Sequence, residues 1–242
     1  SPTMVEKFAQ CRYRVYLGRV KKIKEPSNEH MDRGSAIHDL SEHYVDARIA
    51  DMPPEIEKFR TRFENLRAKY NEGVVTLEQD WGFTIDWEAC GFFDKEVWLR
   101  IKLDACIFSE IPEDSEHAVV IDYKTGKKFG NELKHGFQGL VYAIGTFMRY
   151  PKLNRIDTEF WYLDQGEVLE KNYMRRELEV FLPRITKKGT DITSCTDFYP
   201  NPSGINCRYC PYREMEKCEW AVHEEAPSKK YESIKRRGHI PQ

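Results

Sequence analysis

Alternating apolar and polar residues mark the middle of the chain as a set of strands. Residues 97–107 place aliphatic side chains at every second position, which predicts a strand with one buried face and Asp104 on the other face. The apolar run at 118–121 leads into Asp122, Tyr123 and Lys124 and ends in a turn signal. A polar loop with Pro112 joins the two strands, so we predict that they pair antiparallel and bring Asp104 close to Asp122.

Further strands and helices surround this pair. Branched and aromatic residues predict three more strands, over residues 74–87, 156–163 and 168–173. Apolar residues at helical spacing predict five helices, over residues 2–17, 32–50, 56–70, 131–150 and 175–188. We expect the last helix to be interrupted near Pro183. This order of elements predicts a mixed α/β domain rather than a repeat protein or a doubly wound sheet.

The composition describes an ordinary globular protein. Of 242 residues, 40% are hydrophobic and 32% charged, which excludes fibrous and disordered classes and allows one domain with a small appendage. The chain has neither an apolar run of membrane-spanning length nor a secretory start, so we expect an intracellular protein that binds no membrane, in the cytoplasm or in the host cytoplasm of a virus.

Charge is unevenly distributed. The formal net charge of −2 argues against a protein that binds nucleic acid over its whole surface, but affinity for phosphate depends on the local electrostatic field. Basic clusters occur at residues 21–24, at Lys124 with Lys127 and Lys128, and at 229–237. The cluster beside Asp122 is the one with chemical interest, whereas the last is typical of a solvated tail.

The sequence Asp122-Tyr123-Lys124 places a carboxylate and an ammonium two residues apart. On a strand both side chains emerge from the same face, where they can hold a metal ion and a nucleophilic water. A half-exposed strand can also carry such charges without function. Convergence with Asp104 is what favours a catalytic interpretation.

Two helices add further candidates. Gly34 and His38 lie one helical turn apart, so the small residue lets a ligand approach while the imidazole projects toward it. Gln138 and Tyr142 share one face of the 131–150 helix. Each set also has a purely structural interpretation. His38 can be a polar residue with its hydrogen bonds satisfied, and Gln138 and Tyr142 can be polar residues at the edge of the buried face of a core helix. Glu78 either touches the site or is merely exposed.

Seven cysteines at uneven spacing in an intracellular chain argue against a disulfide framework. Cys207, Cys210 and Cys218 supply three ligands of a metal site. The residues alone leave the fourth ligand open among Cys11, Cys90, Cys106 and Cys195. Thiolate ligation suits either zinc or an iron-sulfur cluster.

Taken together, these motifs resemble the RecB-like branch of the PD-(D/E)XK nuclease superfamily. Its ordered motifs are GxxxH, a strand-ending aspartate, D/E-x-K and QxxxY, and they match Gly34–His38, Asp104, Asp122–Lys124 and Gln138–Tyr142. The resemblance implies a restriction-endonuclease-like α/β fold with a mixed central sheet flanked by helices.

The resemblance also implies roles for these residues. His38, Asp104 and Asp122 would bind Mg²⁺ or Mn²⁺, with the backbone carbonyl of Tyr123 as a further ligand. The catalytic set would comprise both aspartates with Lys124, which would orient or deprotonate the attacking water or stabilise the transition state. Gln138 and Tyr142 would complete this set by positioning Lys124 or the strand being cut.

An early cysteine followed by a distant CxxC and a last cysteine resembles the iron-sulfur members of the superfamily, which include the AddB nuclease domain and the CRISPR-associated Cas exonucleases. The resemblance implies that Cys11, Cys207, Cys210 and Cys218 hold a 4Fe-4S cluster rather than zinc, in a clasp that joins the two ends of the chain. We therefore expect one nuclease domain over residues 1–223 followed by a charged tail at 224–242. Its parts would be a catalytic core at 28–190 and clasp segments at 1–20 and 195–223.

The function implied is that of a metal-dependent DNA exonuclease acting on single-stranded ends, with 5′ to 3′ polarity favoured. Recombination, replication, repair and CRISPR adaptation are all compatible settings, and proteins of recombination or CRISPR adaptation would be its partners. Phe92, Phe93 and Trp98 either stack on bases or belong to the core. Two alternatives stay open: a non-catalytic DNA-binding assembly protein with a nuclease fold, and a zinc-clasped nuclease that processes RNA.

Overall fold

The computed structural model describes residues 1–222, so the tail expected at 224–242 lies outside the described residues. The chain divides into two compact units. The first comprises residues 1–5 and 27–194, and the second comprises residues 6–26 and 195–222 of the described chain. None of the helices within residues 1–222 is long and apolar enough to cross a membrane.

A six-stranded mixed sheet forms the centre of the first unit. Its strands are β1 Val75–Phe83, β2 Ala89–Cys90, β3 Leu99–Phe108, β4 His117–Lys124, β5 Arg155–Tyr162 and β6 Glu167–Met174. They lie in the order β2-β1-β3-β4-β5-β6. All neighbours are antiparallel except β4 and β5, whose parallel pairing requires the helical connection between them. The predicted mixed α/β fold and the predicted β3–β4 pairing are confirmed.

Four long helices flank the sheet. They are α3 Glu29–Val45, α4 Arg60–Asn71, α5 Glu132–Arg149 and α6 Leu178–Thr193, with 3₁₀ turns at Pro54–Phe59 and Arg175–Glu177. The expected interruption near Pro183 is wrong, because α6 runs through this residue. Leu182 and Ile185 pack against the core on either side of the proline, and this burial outweighs the roughly 3 kcal/mol that an interior proline costs.

Two hydrophobic cores lie on opposite faces of the sheet. Val120 belongs to the core that contains α5, whereas its neighbour Ile121 belongs to the core that contains α3 and α4. Strand β4 therefore alternates between two buried faces, which explains why its sequence reads as a continuous apolar run.

Strands β1 and β3 exchange faces partway along their length. Trp81 packs in the α5 core, but Leu77 packs in the α3–α4 core although both occupy odd positions of the same strand. Leu103 and Ala105 show the same change on β3. Between Leu77 and Trp81 lies Glu78, whose φ of 44° is left-handed and turns the strand over.

The ladder between β3 and β4 ends where this change occurs. Its last pair is Ala105 with Ile121, so Asp104 and Asp122 lie just beyond the paired region. The two strands separate there, which leaves room for polar side chains between β3 and β4.

The second unit is built from short helices. They include α2 Arg12–Val15, a π-helical turn at Tyr16–Val20, α7 Gly204–Arg208 and α8 Pro211–Glu214. The single helix predicted over residues 2–17 is wrong, since α1 Pro2–Gln10 ends before Cys11, which is extended at φ −159° and ψ 109°. The Gln10 carbonyl accepts hydrogen bonds from the Asn201 and Asn206 side chains in place of a helical amide. These distant partners end the helix.

Candidate active site

Asp104 and His38 meet at the point where β3 and β4 separate. Asp104 Oδ2 accepts a hydrogen bond of 2.6 Å from the Tyr123 amide, which has lost its ladder partner there. Asp104 Oδ1 lies 3.2 Å from His38 Nδ1, and His38 Nε2 lies 3.0 Å from the Tyr123 carbonyl oxygen. Three of the predicted metal ligands are therefore mutual neighbours.

The imidazole of His38 faces an acceptor at each ring nitrogen. Burial lowers the pKa of His38, but the hydrogen bond and charge of Asp104, with the charge of Asp122, outweigh it and raise the pKa to about 9. The ring therefore carries two protons at neutral pH in this arrangement and donates to both neighbours.

Helix α3 brings His38 to this position. Asn28 caps the helix by accepting a hydrogen bond from the Met31 amide at 3.0 Å, and Tyr44 and Val45 bury its far end. A Cβ atom on Gly34 would lie 3.4 Å from Thr125 Oγ1, which is an ordinary contact distance, so the neighbouring end of β4 does not require glycine here. The expectation that Gly34 lets a ligand approach stays a prediction.

Asp122 is held by two side chains of α5. Its Oδ1 accepts hydrogen bonds of 3.0 Å from Gln138 Nε2 and from Tyr142 Oη, and these two side chains also contact each other. The predicted pair therefore contacts Asp122, and the expectation that it acts on Lys124 or on the nucleic-acid strand stays a prediction.

The other oxygen of Asp122 faces Lys124. Only 4% of Asp122 is exposed, and burial raises the pKa of its carboxyl, an effect that the charge of Lys124 opposes. Lys124 Nζ lies 2.5 Å from Oδ2, yet Oδ2 has no well-aligned hydrogen bond. This buried oxygen thus keeps a lone pair that a cation can use.

Glu78 completes the cluster, and the sequence left its role open. The ligand atoms of His38, Glu78 and Asp104 all lie within 4.8 Å of one another. Glu78 reaches the site because Leu77 pairs with Ala105 and Gln79 with Leu103, which sets Glu78 across from Asp104. Although Glu78 is exposed, partial desolvation of its carboxyl and the charge of Asp104 raise the pKa of Glu78 to about 7. The only signal for this placement is the register between β1 and β3.

This donor set fits a divalent cation of the harder kind. The imidazole of His38, the carboxylates of Asp104 and Glu78, and the Tyr123 carbonyl are an oxygen-rich set that suits Mg²⁺ or Mn²⁺. Asp122 is near enough for its charge to act on His38, but it is not among the ligand atoms that lie within 4.8 Å of one another. The Tyr123 side chain takes no part, because its ring is buried between Phe63 and Trp161.

A second candidate centre lies in the other unit. Four cysteines line one cavity there, namely Cys11, Cys207, Cys210 and Cys218. Prolines and Trp220 contribute to the same lining, and Cys90, Cys106 and Cys195 do not. All seven cysteines are free thiols, and no bond joins the four. Thiol donors suit an iron-sulfur cluster or zinc chemically, but among the described residues no three of these sulfur atoms lie within 4.8 Å of one another.

Comparisons with known proteins agree with the first site. No curated protein matches the chain. A solved structure described as the crystal structure of SSO0001 is similar at 14% identity and a TM-score of 0.41, covering 90% of this chain and 86% of that chain, and at this level the likeness carries no argument. The family model of the PD-(D/E)XK nuclease superfamily matches residues 1–215, a range that includes every side chain of the first site but ends before Cys218 of the second. By this match the chain belongs to the PD-(D/E)XK nuclease superfamily.

Proposed function

We propose that this protein is a Mg²⁺- or Mn²⁺-dependent DNA exonuclease that acts on single-stranded ends, with 5′ to 3′ polarity. The observation that carries the proposal is the meeting of His38, Asp104, Asp122 and Lys124 where β3 and β4 separate. Membership of the superfamily supports metal-dependent nuclease chemistry. The preference for DNA ends and the polarity rest on the resemblance to the RecB-like branch.

The metal would be held by His38, Asp104, Asp122 and the Tyr123 carbonyl, with Glu78 close enough to join them. When bound, it would polarise the scissile phosphate and lower the pKa of a bound water. At neutral pH His38 must release a proton before it can bind, because its pKa of about 9 keeps the ring protonated.

Lys124 would act on the reacting phosphate from beside the metal ligands. Its ammonium lies 2.5 Å from Asp122 Oδ2, so a positive charge stands next to the place where phosphate oxygens gain negative charge. Gln138 and Tyr142 are positioning residues, since they fix the orientation of the Asp122 carboxylate through Oδ1.

For the second centre we propose a 4Fe-4S cluster on Cys11, Cys207, Cys210 and Cys218. Support comes from the shared cavity, which includes these four cysteines and leaves out the other three. The cluster would act as a structural clasp between the two segments of its unit. Zinc on the same thiols is the alternative, and metal analysis separates the two.

Degradation of end-labelled DNA tests the activity. Single-stranded and duplex substrates, labelled at either end, would be incubated with Mg²⁺ or Mn²⁺ and the native protein, Lys124→Ala or Lys102→Ala. Lys102 is the matched control, because it is an exposed lysine that pairs with Asp80. We expect the native and Lys102→Ala proteins to degrade single strands, and Lys124→Ala to be about 100-fold slower or worse.

Other outcomes identify the competing functions. Equal activity in all three samples would indicate a contaminant or a misassigned lysine. DNA binding without cleavage would favour a non-catalytic assembly protein. Faster cleavage of a ribose-bearing strand by a zinc-loaded sample would favour an RNA-processing nuclease.

A further inference from the structure

The segment between β4 and α5 exposes two large apolar side chains. Phe129 is 90% and Leu133 is 91% exposed, more than any other large hydrophobic residue among residues 1–222. A single exposed apolar residue is ordinary, but two within five positions, in a segment that joins two elements of the active site, call for a binding role.

Hydrogen bonds fix the shape of this segment. Lys128 anchors it to the end of the β5–β6 hairpin, because its amide donates to Gln165 Oε1 at 2.8 Å and its Nζ lies 3.1 Å from Glu167 Oε2. Gly130 follows with a φ of 84°, which favours glycine, and its amide donates to Glu132 Oε2. The Phe129 ring therefore projects from an ordered turn, so little entropy is lost when it binds a partner.

The charge of the segment selects the partner. Residues 124–134 contain four lysines and one acid, Glu132. Protein–protein interfaces are depleted of lysine, whereas grooves that bind single-stranded nucleic acid combine cations with exposed aromatic rings. Phe93, the other strongly exposed phenylalanine at 85%, is followed by Asp94, Lys95 and Glu96, a run with a net charge of −1, so its own segment lacks the excess of lysine.

The position of the segment links it to the active site. It starts at Lys124, which pairs with Asp122, and it ends in the helix that carries Gln138. Phe129 is five positions after Lys124, so its backbone lies within about 18 Å of the backbone of that lysine. A strand of a few nucleotides that leaves the site can span this distance.

We propose that Phe129 is a stacking platform for a base of an unpaired nucleic-acid strand, and that Lys127 contacts the phosphate beside it. The inference rests on the proposed function and extends it, since it identifies how an unpaired strand is distinguished. Bases in a duplex are already stacked on each other, so only an unpaired base can cover the ring without first breaking a pair.

Binding without metal tests the inference apart from catalysis. Fluorescently labelled oligothymidine would be titrated in EDTA with the native protein, Phe129→Ala, Phe129→Trp and Phe93→Ala. We expect Phe129→Ala to weaken binding roughly 5- to 100-fold, Phe129→Trp to restore it, and Phe93→Ala to stay within about twofold. An abasic strand of equal length should bind the native protein as weakly as oligothymidine binds Phe129→Ala.

Salt dependence separates the ring from the charge. Lys127→Ala should reduce the slope of log affinity against log salt by about 0.7, whereas Phe129→Ala should leave the slope unchanged. Native affinity in Phe129→Ala, or a loss in Phe93→Ala instead, would overturn the inference. If Phe129→Ala weakens binding but the native protein does not cleave DNA, only the nuclease proposal is refuted. If the native protein cleaves DNA but Phe129→Ala binds as tightly as the native protein, only the stacking platform is refuted.

Discussion

At the scale of single residues, His38 joins acid–base chemistry to metal binding. Its ring donates to Asp104 and to the Tyr123 carbonyl, and these neighbours raise the pKa of His38 to about 9. A metal ion at this site must replace a proton on the imidazole. Proton release therefore accompanies metal binding below pH 9.

We predict that Mn²⁺ affinity rises with pH. Since the metal-free form of His38 holds the proton up to its pKa of about 9, affinity should increase about tenfold per pH unit toward pH 9 and level off above it. Below pH 7 the rise should be steeper, because Glu78, with a pKa of about 7, then also holds a proton. Calorimetric titration across pH 6 to 10 measures this. His38→Gln should lose the rise between pH 7 and 9, and a pH-independent affinity in the native protein would refute the role.

A second prediction concerns Glu78. Because its carboxylate lies within ligand distance of His38 and Asp104, Glu78→Gln should weaken Mn²⁺ binding about tenfold or more, as measured by the electron paramagnetic resonance signal of free Mn²⁺. Asp80→Asn is the matched control, since Asp80 lies on the same strand and pairs with Lys102. An equal loss of Mn²⁺ affinity in both variants would mean that Glu78 contributes only its negative charge and is not a ligand.

The sequence indicates most of this cluster but not all of it. Strand alternation and antiparallel pairing predict that Asp104 and Asp122 lie close together, whereas only the resemblance to the RecB-like branch places His38 beside them. The position of Glu78 in the site could not be predicted in this way, since it depends on the register between β1 and β3 and on a left-handed backbone conformation, and neither follows from the periodicity of the sequence.

At the scale of elements, the close contact of α5 with β5 keeps the polar side chains of α5 near Asp122. A Cβ atom on Gly139 would lie 2.8 Å from Thr158 Oγ1 and 3.1 Å from the Phe160 ring. The helix can approach this closely only because residue 139 has no side chain.

We predict that Gly139→Ala destabilises the protein by about 1–3 kcal/mol, because the added methyl group forces α5 away from the sheet. The sign of the stability change is informative, since replacing glycine by alanine in a helix interior otherwise stabilises a protein by roughly 0.5–1 kcal/mol. Urea unfolding measures the difference. Gly126→Ala is the control, because a Cβ there meets nothing within 4 Å and should change stability little. An unchanged or raised stability of Gly139→Ala would contradict the close contact.

Periodicity predicts the elements of the first unit well, because each long helix and strand buries one regular face. It fails at Cys11 and at Pro183 for a shared reason. Asn201 hydrogen-bonds to Gln10 and ends α1 from 191 positions away, and burial around Ile185 carries α6 through its proline. Both are long-range effects, which a local pattern does not contain.

At the scale of the whole molecule, thiols from distant parts of the sequence surround one cavity. We predict that Cys210→Ala loses bound iron and lowers the thermal unfolding midpoint, since metal binding energy adds to folding energy. Iron and zinc analysis with calorimetry on protein purified without oxygen provides the measurement. Cys195→Ala should behave as the native protein, because Cys195 does not line the cavity. Unchanged metal content and an unchanged unfolding midpoint in Cys210→Ala would refute the proposal of a metal clasp.

The sequence alone limits the fourth thiol to four candidates, and only the resemblance selects one. Spatial proximity provides an independent criterion, since Cys11 lines the cavity and Cys90, Cys106 and Cys195 do not. A spacing rule cannot do this, because Cys11 and Cys207 are brought together by the fold of the whole second unit.

The division of that unit between both ends of the sequence has a consequence for biosynthesis. Cys11 is synthesised 196 residues before Cys207, a delay of about 10 to 40 s at typical translation rates. During this interval the thiol has no cavity around it and is open to oxidation. A factor that delivers the proposed metal to the four thiols would therefore act only after Cys218 has been synthesised, and slow translation lengthens the period in which Cys11 can be damaged.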